Sequence, residues 1–215
     1  MLVGLTQRVE VVAKTREQRD CLDQSWFKRL DDLNLSGIPV PNSLNNPVKW
    51  AKFIGIEALI LTGGNDLSHL NNAKNTALTR DVTESALLTW SSEKRVPVLG
   101  ICRGMQLMNT FLGGSLSRVN GHVANFHNIK SIDGDNTFKN YQKVNSYHEW
   151  GINLSELAAD LKPLAVADDG TVEACMHQSL PWLGLMWHPE RDNGDLKDFD
   201  AKLLKSFFTS NKNIL

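Results

Sequence analysis

The chain is short of the features that would place it outside ordinary water-facing globular proteins. It has three cysteines, Cys21, Cys102 and Cys175, an odd and widely spaced set that excludes a disulfide framework and contains no CxxC pair. No stretch approaches the ~18 uninterrupted apolar residues of a membrane span. The N-terminal run from Met1 to Arg8 has no basic segment followed by a long apolar core, so it does not read as a signal peptide. Charge of one sign is not in surplus either: 23 basic and 24 acidic side chains leave a formal net charge of −1. That balance gives no electrostatic reason to expect nucleic acid or an anionic membrane as a partner. There is no internal repeat, low-complexity tract or linker. A reduced, cytoplasmic protein follows as the expectation, one in which cysteine chemistry would use a free thiol.

What is present is an alternation of short apolar runs with helical patterns, the mark of an α/β domain with a mainly parallel sheet. Strands are expected at Leu2–Leu5, Ala58–Leu61, Val98–Ile101, around Val144, at Val172–Met176 and at Leu183–Trp187. A first helix is read from Thr15, with Gln18 as its capping-box partner and Leu22, Trp26, Leu30 and Leu33 at helical spacing, Cys21 lying on its apolar face and Gly37 beyond its end. Ile38 to Pro41 reads as extended chain. Further helices are expected over Thr83–Lys94, Arg103–Leu112 and a last one carrying Leu196, Phe199, Leu203 and Phe207 on one face. The polar segment from Asn120 to Asn140 reads as a long loop.

Three segments carry chemistry. Gly100-Ile101-Cys102-Arg103-Gly104 lies between a strand and a helix. In that context the pattern is a nucleophile elbow, lifting the sulfur to a helix N-terminus where a thiolate is favoured. The backbone N–H of Arg103 would then face a developing oxyanion. Trp187-His188-Pro189-Glu190 ends an apolar run, and His188 and Glu190, two apart in extended chain, share a face. A thiol needs such a base and a group that fixes its tautomer. Leu61-Thr62-Gly63-Gly64-Asn65 closes a buried strand, and the N–H of Gly64 is the second oxyanion candidate. Each segment alone has a plain alternative: a buried thiol at a turn, a surface His–Glu pair, a tight turn. Cys21 and Cys175 read as core residues, Trp150 and Trp187 as packing, and Arg8 as exposed. His122, His127 and His148 have no ligand spacing with a fourth donor, so no metal is expected.

Together and in this order, the three segments resemble the class I glutamine amidotransferase superfamily. The resemblance implies a flavodoxin-like three-layer α/β fold with a central mostly parallel sheet, one hydrolase domain over residues 1–215, and a Cys102–His188–Glu190 triad that passes through a γ-glutamyl thioester. Arg80-Asp81, Gly100 to Gln106, Leu112 to Leu116 and Val144 to His148 resemble the stand-alone γ-glutamyl hydrolase branch, of the γ-glutamyl-γ-aminobutyrate hydrolase type. That implies a glutamyl pocket made by Gln106, Asn145, Ser146, Tyr147 and His148. The chain departs from that branch at Glu149-Trp150, where a second His or a Gln is frequent. It is also similar to hydrolases of bacterial capsule biosynthesis that release glutamate from γ-glutamyl-CDP-amidate, and the Leu2 to Arg8 segment and compact length suit that comparison. The implied partner is a small γ-glutamyl molecule, with no cofactor, and a homodimer is compatible. A glutaminase subunit feeding ammonia to a separate synthetase, and a non-catalytic binding protein on the same fold, are the competing readings.

Overall fold

A computed structural model of the chain describes residues 1–132, 137–191 and 196–209. Its frame is a sheet of nine strands: β1 (Leu2–Thr6), β4 (Ser36–Val40), β5 (Ala58–Leu61), β6 (Val98–Ile101), β8 (Val123–Ser131), β9 (Lys143–Tyr147), β11 (Leu161–Ala167), β12 (Val172–His177) and β13 (Trp182–Leu185). They lie in the order β4-β1-β5-β6-β13-β12-β11-β8-β9. The first five in that order pair in parallel and the rest antiparallel. A short antiparallel pair, β7 (Ser117–Arg118) with β10 (Trp150–Gly151), stands beside the sheet. The parallel strands are covered on both faces, which is why β5, β6 and β13 read as unbroken apolar runs. Ala58 and Ile60 face a core shared with Trp26, Leu30, Leu204 and Phe207, while Leu59 and Leu61 face one shared with Leu87, Leu88 and Met108. Helices α1 (Ser25–Asp32) and α5 (Lys197–Thr209) therefore cover one face. Helices α2 (Pro47–Ile54), α3 (Leu78–Lys94) and α4 (Arg103–Phe111) cover the other. Among the described residues, no helix is long and apolar enough to cross a membrane.

The first helix does not begin at Thr15. Arg8–Val11 (β2) and Gln18–Cys21 (β3) pair as an antiparallel hairpin, and α1 starts only at Ser25, whose N–H is taken by Asp23 Oδ1 at 2.9 Å. Cys21 is thus a half-buried strand residue rather than a helical one. The hairpin is mostly exposed and polar, so it has no apolar alternation to announce it. Gly37 lies within β4, where a Cβ would meet Leu30 Cδ1 at 2.7 Å; the glycine lets α1 pack onto the sheet rather than ending the helix.

The expected loop at 120–140 contains β8 as a nine-residue strand held between β9 and β11, and residues 133–136 of that stretch lie outside the described residues. Helix α2 was not anticipated. Asn46 Oδ1 caps it from the Lys49 N–H at 2.8 Å, Pro47 stands in its first turn, and Gly55, at φ +81°, ends it.

Candidate active site

Strand β6 ends at Ile101 and α4 begins at Arg103, so the chain turns on Cys102 alone. That residue has φ +50° and ψ −105°, a region costly for a side chain by about 1–3 kcal/mol. The turn is held from outside by the Cys102 N–H, which donates to Leu185 O at 2.8 Å. The flanking glycines are steric requirements. A Cβ on Gly104 would lie 2.1 Å from the Leu61 carbonyl oxygen, and one on Gly100 would lie 2.4 Å from Met108 Sδ. The sulfur is left buried at the N-terminus of α4, where the His188 ring and the Arg103 N–H favour its charged form.

His188 follows β13 after two buried residues. Asn145 of β9 grips its backbone from both sides: Asn145 Oδ1 accepts from His188 N at 2.9 Å, and Nδ2 donates to His188 O at 3.0 Å. Buried Arg29 donates from Nη2 to the Pro189 carbonyl at 2.8 Å, fixing the next peptide. Glu190 Oε1 lies 2.7 Å from His188 Nδ1. A carboxylate only accepts, so Nδ1 carries a proton and Nε2 is the atom turned to the sulfur. Burial alone would lower the His188 pKa, but the Glu190 charge and the Cys102 sulfur outweigh it and raise it to about 9. Burial pushes the Cys102 thiol up, and the His188 hydrogen bond and charge overcome that and bring it below the ordinary thiol range. The arrangement therefore favours a thiolate–imidazolium pair at neutral pH.

Opposite the sulfur, Gly63 and Gly64 follow β5. Arg80, fully buried on α3, donates to the carbonyls of Thr62 (2.6 Å), Gly63 (3.1 Å) and Gly64 (2.6 Å). In a trans peptide the N–H points away from its carbonyl, so holding the Gly63 oxygen on Arg80 turns the Gly64 N–H to the opposite side. Buried Glu84 accepts from Arg80 Nε at 2.9 Å and from Arg103 Nη1, while Arg103 Nη2 pairs with Asp81. One carboxylate thus ties together the segments of Gly64 and Arg103, which line one cleft with Cys102. In the sequence Arg80 and Asp81 stand out only as markers of resemblance, and Glu84 went unnoticed; its i,i+4 spacing from Arg80 was the available signal. Gly63 also escaped notice as a site residue, although a Cβ there would stand 2.6 Å from His188 Cε1 and 3.6 Å from Cys102 Cβ.

Two chambers meet at Cys102. A cleft of about 290 Å³ is lined by Gly64, Cys102, Arg103, Gln106, Tyr147, His148 and Trp150 among others. A smaller one of about 120 Å³ is lined by Arg8, Gly63, Cys102, Tyr147, His188, Glu190 and Arg191 among others. Of the residues read as a glutamyl pocket, Gln106, Tyr147 and His148 line the larger cleft. Asn145 and Ser146 stand behind it: the first grips His188, and the Ser146 hydroxyl donates to the His122 carbonyl at 2.6 Å. Tyr147 meets the His188 ring edge-on, with centroids 5.7 Å apart, and carries the Arg191 guanidinium 4.3 Å from its own ring centroid. Trp150 lines the cleft, and Trp187 is core. His122, His127 and His148 converge on buried Glu173 of β12.

Comparison with known proteins agrees with this architecture. The Peptidase C26 family model matches residues 1–190. The chain is 34% identical to the γ-glutamyl-CDP-amidate hydrolase of Campylobacter jejuni over 90% of its own length and 92% of that protein. It is 30% identical to a glutamine-hydrolyzing GMP synthase subunit from Thermococcus kodakarensis, over 76% and 81% of the two chains. In fold it resembles a glutamine amidotransferase crystal structure from Thermotoga maritima, with a TM-score of 0.66 at 17% identity over 95% and 84% of the two chains. On these grounds the chain belongs to the Peptidase C26 family, glutamine amidotransferase-like γ-glutamyl hydrolases.

Proposed function

We propose that the protein hydrolyses a γ-glutamyl amide through a γ-glutamyl thioester on Cys102. The Cys102 thiolate attacks the γ-carbonyl carbon, and the N–H groups of Gly64 and Arg103 receive the oxyanion. As the tetrahedral intermediate collapses, His188 Nε2 gives its proton to the leaving amine and the C–N bond breaks. Neutral His188 then takes a proton from water, the hydroxide attacks the thioester, and glutamate leaves with the thiolate restored. Glu190 holds the ring in the tautomer that serves both steps. The observation that carries this reading is the relay from Glu190 through His188 to a sulfur mounted on a strained elbow.

The glutamyl part occupies the larger cleft. Gln106 Nε2 is committed to the Trp150 carbonyl at 2.8 Å, so its Oε1 is the atom left to receive the substrate ammonium. The leaving group must lie where His188 can protonate it, which is the smaller chamber. That chamber offers the guanidinium groups of Arg8 and Arg191, suited to an anionic leaving group. A leaving group bearing a diphosphate, as in γ-glutamyl-CDP-amidate, sets more negative charge against two guanidiniums than the single carboxylate of γ-aminobutyrate or the ammonia of glutamine, which favours the CDP-amidate. The likeness to a GMP synthase subunit favours a second reading, a glutaminase that depends on a synthetase partner.

A panel of glutamine, γ-glutamyl-γ-aminobutyrate and γ-glutamyl-CDP-amidate, scored by glutamate release from the isolated protein, separates the three. The proposed reading expects the CDP-amidate to be turned over best and without a partner. Full turnover by Cys102→Ala would end it.

A further inference from the structure

We propose that His122, His148 and Glu173 form a binding site for a divalent metal ion of the Zn²⁺ class, beside the cleft and distinct from the Cys102 relay. The three residues come from different parts of the sheet. His122 precedes β8, His148 follows β9 and Glu173 lies on β12, and the pairing of β8 with β9 sets the two histidines side by side. Their donor atoms form a small triangle. His122 Nδ1 is 3.2 Å from His148 Nε2, and Glu173 Oε1 is 3.6 Å from the latter and 3.8 Å from the former. An ion bound at about 2.0–2.2 Å to nitrogen and oxygen in a tetrahedron spans donor–donor edges of about 3.3–3.6 Å. The triangle needs only a few tenths of an ångström of adjustment to become one face of that tetrahedron.

The far side of each ring is arranged as metal-binding histidines require. His122 Nε2 lies 2.9 Å from Asp169 Oδ2, and Asp169 is itself held by the Thr171 N–H and hydroxyl. His148 Nδ1 lies 2.9 Å from the Trp150 carbonyl oxygen. A carboxylate and a carbonyl only accept, so the ring protons sit there. In neutral imidazoles this leaves His122 Nδ1 and His148 Nε2 bare and aimed at each other. Glu173 is 0% exposed, and neither of its oxygens makes a hydrogen bond. Two lone pairs and a carboxylate facing one another away from water are costly unless a cation joins them. A proton on His148 Nε2 can bond only one neighbour while its charge pairs with Glu173 at 3.6 Å; a dication binds all three donors. His127 Nε2, 3.2 Å from Glu173 Oε2 and also outside any hydrogen bond, or a water from the cleft, supplies the fourth position. Nitrogen and carboxylate donors without thiolate suit Zn²⁺, Co²⁺ or Ni²⁺ rather than Ca²⁺ or Mg²⁺. An ion here would fasten β8, β9 and β12 together behind the cleft wall that carries Tyr147 and Trp150.

The test uses the full chain as Cys102→Ser, so that the reactive thiol cannot be the ligand, treated with chelator and titrated with Zn²⁺ by calorimetry and with Co²⁺ by visible absorption. One ion per chain is expected, with a Co²⁺ spectrum of a four-coordinate site and a rise in unfolding temperature. Glu173→Gln and His122→Ala should each weaken binding by at least the ~10–100-fold that loss of an outer partner costs. No uptake by the Cys102→Ser protein overturns the proposal, as does uptake that Glu173→Gln leaves unchanged. Should Glu173→Gln fail to fold, Asp169→Asn, which removes only the far-side partner of the His122 ring, decides in the same way. None of these readouts depends on turnover, so the outcome is independent of the hydrolase reading.

Discussion

Substituting Gly63 by Ala should disable the site while leaving the fold intact. An added Cβ would stand 2.6 Å from His188 Cε1, about 0.8 Å short of the 3.4 Å at which ordinary contact begins. The ring has little room to yield. Its backbone is gripped at both N–H and carbonyl by Asn145, and Nδ1 is tied to Glu190. The displacement therefore falls on the distance between Nε2 and the sulfur. A misplacement near 1 Å in a reacting geometry costs about a hundredfold, which is about 2.7 kcal/mol of transition-state stabilisation. The backbone does not object, because Gly63 is absent from the positive-φ positions, so the entropic gain of about 0.4–1 kcal/mol from replacing a glycine partly offsets the cost of crowding the ring, about 1–3 kcal/mol. The assay is kcat/KM for glutamate release, beside thermal unfolding of the same protein. A variant with wild-type stability and activity within twofold of wild type would refute the argument that Gly63 is empty to make room for the histidine.

Other outcomes follow from the same geometry. Glu84→Gln leaves Arg80 and Arg103 buried without their shared carboxylate, at a cost of about 3–5 kcal/mol, or a fall of roughly 6–20 °C in unfolding temperature. Unfolding at the wild-type temperature would show that Glu84 does not hold the two segments. Alkylation of Cys102 by iodoacetamide should proceed at neutral pH and should shift to higher pH in His188→Gln, where burial of the thiol is no longer offset; superimposable pH profiles would contradict this. The sign for stability is two-sided. The lowered thiol contributes stability that is lost as pH falls through its folded pKa, and the raised imidazole contributes stability that is lost as pH rises through about 9. Arg8→Gln combined with Arg191→Gln should raise KM for γ-glutamyl-CDP-amidate by about tenfold or more while sparing glutamine, since only the first has an anionic leaving group. Equal losses on both substrates would remove the assignment of the smaller chamber.

The parts of the molecule legible in the sequence are those written in local steric or solvation rules. β5, β6 and β13 are buried on both faces, so their apolar runs are continuous. The elbow is visible because Gly100 and Gly104 face a methionine sulfur and a backbone carbonyl at distances that admit no side chain. The hairpin of β2 and β3 was hidden because its residues are mostly exposed and polar, and the helical spacing of Trp26 and Leu30 was extended backward through it. β8 was hidden for a similar reason: its exposed Asn and Lys residues carry no alternation, and it is held by long-range pairing with β9 and β11. The same pairing brings His122 to His148 and both to Glu173, a meeting of three segments that spacing along the chain does not encode. Asn145 and Ser146 sit in the segment read as a pocket, yet their side chains are spent on backbone groups of His188 and His122.

The central claim is a covalent intermediate, and mass spectrometry of acid-quenched protein tests it most directly. Wild type mixed with a turning-over γ-glutamyl substrate should show a γ-glutamyl adduct on the peptide carrying Cys102, at a level that rises before steady state and is absent in Cys102→Ala. Steady turnover with no adduct on that peptide, or continued glutamate release by Cys102→Ala, would contradict it.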